Sequence, residues 1–194
     1  MKGLLILTPV KDSLETARDT FRAVEAGLPN VPCTYTVYDD FSSPENAKLL
    51  EEEASRGGFD LVHLADLTDH PSPNYLLVLQ TAQRLALEKD WGVCIVESDV
   101  TVTKETLQGL FDVAKANEDA GIVASVTTDE TGQVNYPYLY AKNWEKAVTE
   151  SKKHCSFCCS LLTPRLLKAF PFTSLDATKN WYDVTISHAS LDLG

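Results

Sequence analysis

Val93-Cys94-Ile95-Val96-Glu97-Ser98-Asp99 (residues 93–99) is an apolar run of strand length that ends abruptly in two acids separated by one serine. Runs of this kind recur on both sides of it, and stretches of helix length lie between them. Upstream, Gly3 to Thr8 is a first strand, and Cys33 to Tyr38, β-branched and aromatic, is a second. Leu61 to Ala65 is a third. Between the first two, Leu14, Ala17, Phe21 and Val24 fall on one helical face, and the Asp12 to Glu15 spacing suits a capping box. Ser43-Pro44-Glu45 opens the next helix, because proline suits the first helical position and an acid the positive helix start. A long helix from about Asn74 to Lys89 precedes the 93–96 strand. Downstream, Thr103 is placed to cap a helix carrying Leu107, Leu110, Phe111 and Ala114, and Gly121 to Val126 is a fifth strand. The order βαβαβαβαβ predicts an α/β domain with a mostly parallel sheet covered by helices on both faces.

Beyond Val126 the pattern loosens. Val134 to Tyr140 is aromatic but interrupted by Pro137, which predicts a short edge strand. Cys155 to Leu162 reads as a strand, Thr163-Pro164 as the start of a short helix to Phe170, and Asp183 to Leu191 as a last helix.

The chain has 194 residues, 44% hydrophobic, which suits a single domain spanning 1–194. Its formal charge of -11 argues against a partner tracked through phosphates, so no nucleic-acid partner is expected. The apolar start Leu4 to Leu7 is too short for a signal core or a transmembrane segment, which places the protein in the cytoplasm. Five scattered cysteines do not form a secreted disulfide framework. Cys155 and Cys158 stand at Cys-x-x-Cys spacing, yet there is no second such pair, and reduced thiols are expected there and at Cys159. Composition leaves the oligomeric state open.

The acids at the strand ends carry the chemistry. In an extended chain Glu97 and Asp99 point to one side, and two hard oxygen donors at a strand end suit Mn2+ or Mg2+ and, through it, a nucleotide diphosphate. A solvated loop before the next helix explains the same residues. Asp39 and Asp40 end the second strand, where they could receive a nucleobase or act as turn formers. Thr8 and Pro9 end the first strand beside them. Asp183 follows Trp181 and Tyr182, whose rings could desolvate a carboxylate and keep it basic; it is the candidate general base, with a helix N-cap as the alternative role.

Taken in order, these segments resemble glycosyltransferase family 2, over nearly the whole chain. Tyr38-Asp39-Asp40-Phe41-Ser42-Ser43 is similar to that family's Val-Asp-Asn-Gly-Ser-Thr segment, Val96-Glu97-Ser98-Asp99-Val100 to its Asp-x-Asp strand end, and Tyr182-Asp183-Val184 to its Glu-Asp-Val run. The resemblance implies a GT-A, Rossmann-like fold and a nucleotide-sugar donor, a UDP-sugar by preference. Thr8, Pro9, Asp39, Asn74, Glu97 and Asp99 would bind the donor, with Asp39 on the uracil and Asp99 and Glu97 as metal ligands for Mn2+ or Mg2+. Asp183 would be the base in an inverting transfer to a carbohydrate or other hydroxyl acceptor, and Cys155 to Pro164 would wall the acceptor site. Family members usually continue past the position of Gly194, so a C-terminal segment is expected to be lacking here. Glu97 and Tyr182 replace the family's aspartate and glutamate, and the expected lack of that C-terminal segment keeps a catalytically idle module that binds nucleotide-sugar, glycan or protein as the alternative. No Gln-x-x-Arg-Trp run is present, so polymer synthesis through a membrane is not expected. A nucleotidyltransferase ranks last, because Thr8 to Asp12 lacks a glycine-rich loop.

Overall fold

The computed structural model describes residues 1–193. Six strands form one sheet in the order β3-β2-β1-β4-β6-β5. They are β1 (Leu4–Val10), β2 (Cys33–Asp39), β3 (Asp60–His63), β4 (Gly92–Val96), β5 (Ile122–Ala124) and β6 (Cys159–Leu162). β1 to β4 pair in parallel, whereas β6 runs antiparallel to both β4 and β5. The helices are α1 (Leu14–Ala26), α2 (Pro44–Ser55), α3 (Tyr75–Lys89), α4 (Thr106–Ala116), α5 (Pro164–Ala169) and α6 (Tyr182–Asp192).

Alternation along the strands divides the core in two. Leu4, Ile6, Cys94 and Val96 face the apolar stripes of α1, α2 and α4, among them Phe21, Leu50 and Leu107. Leu5, Leu7, Val93 and Ile95 face α3, α5 and α6 through Leu79, Leu166 and Ile186. Burial of each large apolar side chain contributes about 2 kcal/mol, so a strand covered on both sides is strongly fixed in register.

Strand order reverses where β1 lies between β2 and β4, and α/β sheets collect ligands in the crevice at the carboxyl ends beside such a reversal. Glu97 and Asp99 follow β4 at this edge. The antiparallel β6 begins at the same edge, since Val96 pairs with Cys159. The segment leading into β6 is thereby brought beside the strand-end acids.

Local expectations needed correction in six places. Asp12 does not cap α1; Ser13 holds that position, and Asp12, at φ 55°, turns across to the loop after β2. Thr103 precedes rather than caps α4, whose N-cap is Glu105, and its hydroxyl bonds that of Thr106 at 3.0 Å. The fifth strand is only Ile122–Ala124, and β6 starts at Cys159 rather than Cys155, because its partner β4 ends at Val96. Val134 to Tyr140 is not a strand: only a Thr128 to Val134 bridge forms, and Leu139–Ala141 is a single 3-10 turn. Pro137 has no N–H for a ladder, and the Tyr138 hydroxyl instead donates to the Ser156 carbonyl at 3.0 Å. The last helix begins at Tyr182, so Trp181, not Asp183, is its N-cap.

Candidate active site

β4 delivers Glu97 to the crevice. Its backbone N–H donates to the Cys158 carbonyl at 3.0 Å, which continues the β4–β6 pairing by one residue. Val100 N–H then donates to the Glu97 carbonyl at 3.1 Å, so Glu97-Ser98-Asp99 is a turn and not the extended segment expected from spacing. Asp99 lies exposed on that turn. Glu97 is half-buried, and its Oε1 accepts a hydrogen bond from the Tyr75 hydroxyl at 2.8 Å.

A cleft of about 300 Å³ opens here, lined by Tyr75, Glu97, Ser156, Phe157, Cys158, Asn180, Tyr182 and Asp183. α3 contributes Tyr75 at its first residue and α6 contributes Tyr182 and Asp183 in its first turn; the two tyrosine rings lie parallel with centroids 6.4 Å apart. Burial pushes the Glu97 carboxyl up to about 7, the Tyr75 hydrogen bond pulls it back, and the negative charges of Asp99 and Asp183 raise it further. A carboxyl raised toward neutrality by burial and by neighbouring acids makes Glu97 a candidate functional group. Burial, and then the charge of Glu97, hold the Tyr75 phenol well above its usual range, so it stays a donor. Asp183 Oδ1 accepts the N–H of Val184 at 2.8 Å, which holds the carboxylate at the positive start of α6.

The acids after β2 are built differently. Asp39 is buried, with Oδ1 accepting Ser42 N–H at 3.1 Å and Oδ2 paired with His63 Nδ1 at 2.7 Å. Asp40 accepts three hydrogen bonds, each 2.8 Å long, from the Ser72 hydroxyl, the Asn74 backbone N–H and Asn74 Nδ2. Asn74 is the N-cap of α3, yet its side chain makes no bond to its own helix; Nδ2 serves Asp40 and the His70 carbonyl. Asp40 therefore fixes the start of the helix that presents Tyr75 to Glu97. Asp12 Oδ1 accepts Ser43 N–H at 2.7 Å and Asn46 Nδ2 at 3.1 Å; the Ser43 bond first, and then the Asn46 bond, hold its carboxyl below the usual range. Thr8 is fully buried with its hydroxyl 3.0 Å from that of Tyr35, which puts its side chain in the core; Pro9 is half-buried beside Tyr38.

The structure thus brings Glu97 and Asp183 into one cleft, with the Asp99 charge felt there, and sets Asp39 and Asn74 in hydrogen-bonded frames beside it. Sequence reasoning missed Tyr75 and Asn180 as lining residues, whereas Ser156, Phe157 and Cys158 lie in the Cys155 to Pro164 segment expected to wall the acceptor site. Adjacency was the only signal, for Tyr75 follows Asn74 and Asn180 precedes Trp181. Glu97 and Asp99 are hard oxygen donors in a field of excess negative charge, which fits Mn2+ or Mg2+. Among the described residues, however, no three His, Cys, Asp or Glu side chains are gathered as a ready-made metal group. Such an ion would complete its shell with water or other oxygen ligands, as these cations commonly do. Cys155, Cys158 and Cys159 are free thiols, and Cys158 Sγ lies 3.1 Å from the Ser156 hydroxyl.

No protein-family model matches the chain, and no curated protein matches it in sequence. Solved structures do match. TarS from S. aureus, residues 1–349, superposes with a TM-score of 0.67 at 14% identity, over 97% of this chain and 55% of that one. The mannosyltransferase PcManGT from Pyrobaculum calidifontis, in complex with GDP-Man and Mn2+, gives 0.63 at 14% identity, over 98% and 51%. TarS 1–349 in complex with UDP gives 0.61 at 15%, over 98% and 55%. The fold is that of GT-A-like glycosyltransferases, and the chain spans about half the length of these neighbours. Among the described residues no helix is long and apolar enough to cross a membrane.

Proposed function

We propose that the chain binds a nucleotide-diphosphate sugar at the carboxyl ends of β1, β2 and β4 and transfers the sugar, with inversion, to an acceptor hydroxyl. The observation that carries this reading is the cleft at the carboxyl end of β4 that Glu97, raised to about 7, and Asp183 line together. It is supported by the fold shared with structures solved with UDP and with GDP-Man and Mn2+.

In this reading Asp183 accepts the acceptor hydroxyl proton. The freed oxygen attacks the anomeric carbon from the face opposite the nucleotide, a new C–O bond forms, and the bond to the diphosphate breaks with its electron pair leaving on phosphate oxygen. No covalent enzyme intermediate arises. Asp39 and His63 frame the base end of the donor, and Tyr75 holds Glu97 toward the diphosphate end. A divalent ion held by Asp99 and Glu97 would supply positive charge to the departing diphosphate.

Calorimetric titration of UDP into the purified chain tests the donor site, with Mn2+, with EDTA, and with Asp99→Asn. Metal-dependent binding that weakens at least tenfold in the variant is expected. Absence of UDP binding under all three conditions would sink the reading. UDP binding without any donor turnover, hydrolysis included, would favour the idle binding module.

A further inference from the structure

Most polar side chains that line the cleft are already engaged: the Tyr75 hydroxyl with Glu97, and the Ser156 hydroxyl with Cys158 Sγ at 3.1 Å. Three groups are not. Asp183 Oδ1 accepts the Val184 N–H, but Oδ2 has no partner among the described residues. The Asn180 amide is exposed and has none either. Tyr182 is only 8% exposed, yet its hydroxyl is likewise unpaired. Among the described residues only Thr20 has a side-chain polar atom both sealed and unpaired, so the Tyr182 hydroxyl opens on the water of the cleft that it lines.

These groups come from residues 180–183, where the chain enters α6. The Tyr182 ring is held parallel to that of Tyr75. Burial, and then the charge of Asp176, raise its phenol above the usual range, so the hydroxyl keeps its proton and can both donate and accept. That Asp176 is felt there puts the hydroxyl on the side of the loop that carries Asn180. An amide and a phenol that can each donate, beside a carboxylate oxygen that only accepts, match a row of sugar hydroxyls, each of which does both. An isolated alcohol would meet the carboxylate alone. The lining residues include Glu97 and Asp183 and no basic side chain, so an anionic group near the reacting hydroxyl would face two acids without a counter-charge.

We propose that Asn180 and the Tyr182 hydroxyl select the acceptor by holding the hydroxyls that flank the one delivered to Asp183, and that the acceptor is an uncharged saccharide. Both residues touch substrate without exchanging a proton with it. The inference rests on the reading of Asp183 as the base of a transfer, and it names the groups that fill the space beside that base.

Two measurements on the intact chain, with Mn2+, test it. Saturation-transfer NMR gives Kd for the methyl glycosides of glucose, galactose, mannose and N-acetylglucosamine, for methyl glucuronide and galacturonide, and for propan-2-ol. Nucleotide release from UDP-glucose, UDP-GlcNAc and GDP-mannose gives kcat and KM with the same acceptors. At least one neutral glycoside is expected to bind roughly tenfold or more tighter than the uronides and propan-2-ol. Asn180→Ala and Tyr182→Phe, each with a native unfolding midpoint, should raise Kd and KM for that glycoside roughly threefold to tenfold, the weight of one hydrogen bond, with kcat changed far less. Its monodeoxy analogues lacking a flanking hydroxyl should bind native and variant chains alike. Equal affinity for a uronide or for propan-2-ol, variants with unchanged Kd, or no binding of any glycoside would overturn the proposal. Glycoside binding that depends on Asn180, with no nucleotide released from any donor, would drop the transfer reading and leave the saccharide site standing. Glycoside-stimulated release that neither variant alters would do the reverse.

Discussion

Asp39 and Asp40 after β2, and Glu97 with Asp183 across the cleft, are acids at one edge of one sheet, yet their surroundings differ in kind. Asp39 and Asp40 together accept four backbone or side-chain hydrogen bonds and pair with His63. Glu97 has one hydrogen-bond donor, Tyr75, and faces the charges of two other acids. A carboxylate surrounded by donors is held fixed and fixes the loops that supply them. One that is short of donors and crowded by like charge is poised to take up a proton, a cation or a polar substrate.

The largest effect that would sharpen this comparison is chemical. Asp183→Asn keeps the shape of the cleft but removes its base, so transfer should fall roughly 10²- to 10⁴-fold with UDP affinity within about twofold. Rate assays and calorimetry on the same preparation check this, and unchanged transfer would take Asp183 out of the mechanism.

A pH series comes next. Because the Glu97 carboxyl is raised from 4.5 to about 7 in the folded state, the folded chain holds a proton that the unfolded chain releases. Its contribution to stability is full below pH 4.5, is lost as pH climbs toward 7, and is level above that. At about 1.4 kcal/mol per unit the loss is at most about 3 kcal/mol, less where cleft water screens the group. Denaturant unfolding across this range should show the decline in the native chain and a flatter profile in Glu97→Gln. Identical profiles would mean that Glu97 is no more strained than Asp40.

The smallest expected effect is on the satisfied side. Asp40→Ala strands the Ser72 hydroxyl and two Asn74 donors, at a cost of roughly 1 to 3 kcal/mol, with faster amide exchange in residues 67–75. Unaltered exchange there would break the claim that Asp40 fixes the start of α3.

Much of the fold was legible because strands covered on both faces must be apolar runs, and helices between them must show one apolar stripe; β1 to β4 and α1 to α4 came out close to their expected bounds. The stretch from Val126 to Ser156 was misread because, of its aromatics, only Tyr138 is buried, through a hydroxyl bond to a distant carbonyl, so no repeating pattern of burial marks it. At the site, the strand-end acids were legible from their position after apolar runs. Their division of labour was not, since His63, Ser72 and Tyr75 reach them from other elements 22 to 32 residues away.

By itself, then, the order of residues determined the α/β architecture and the edge where the acids gather, because periodicity and strand-end position are local properties of the chain. Only the tertiary structure decided which acids are satisfied and which are exposed to one another. That outcome depends on the antiparallel return of β6 beside β4 and on α6 folding back over the edge, which bring Cys158 and Asp183 next to Glu97. Donors and like charges brought together across such distances set the electrostatics of a carboxylate, and no local pattern encodes them.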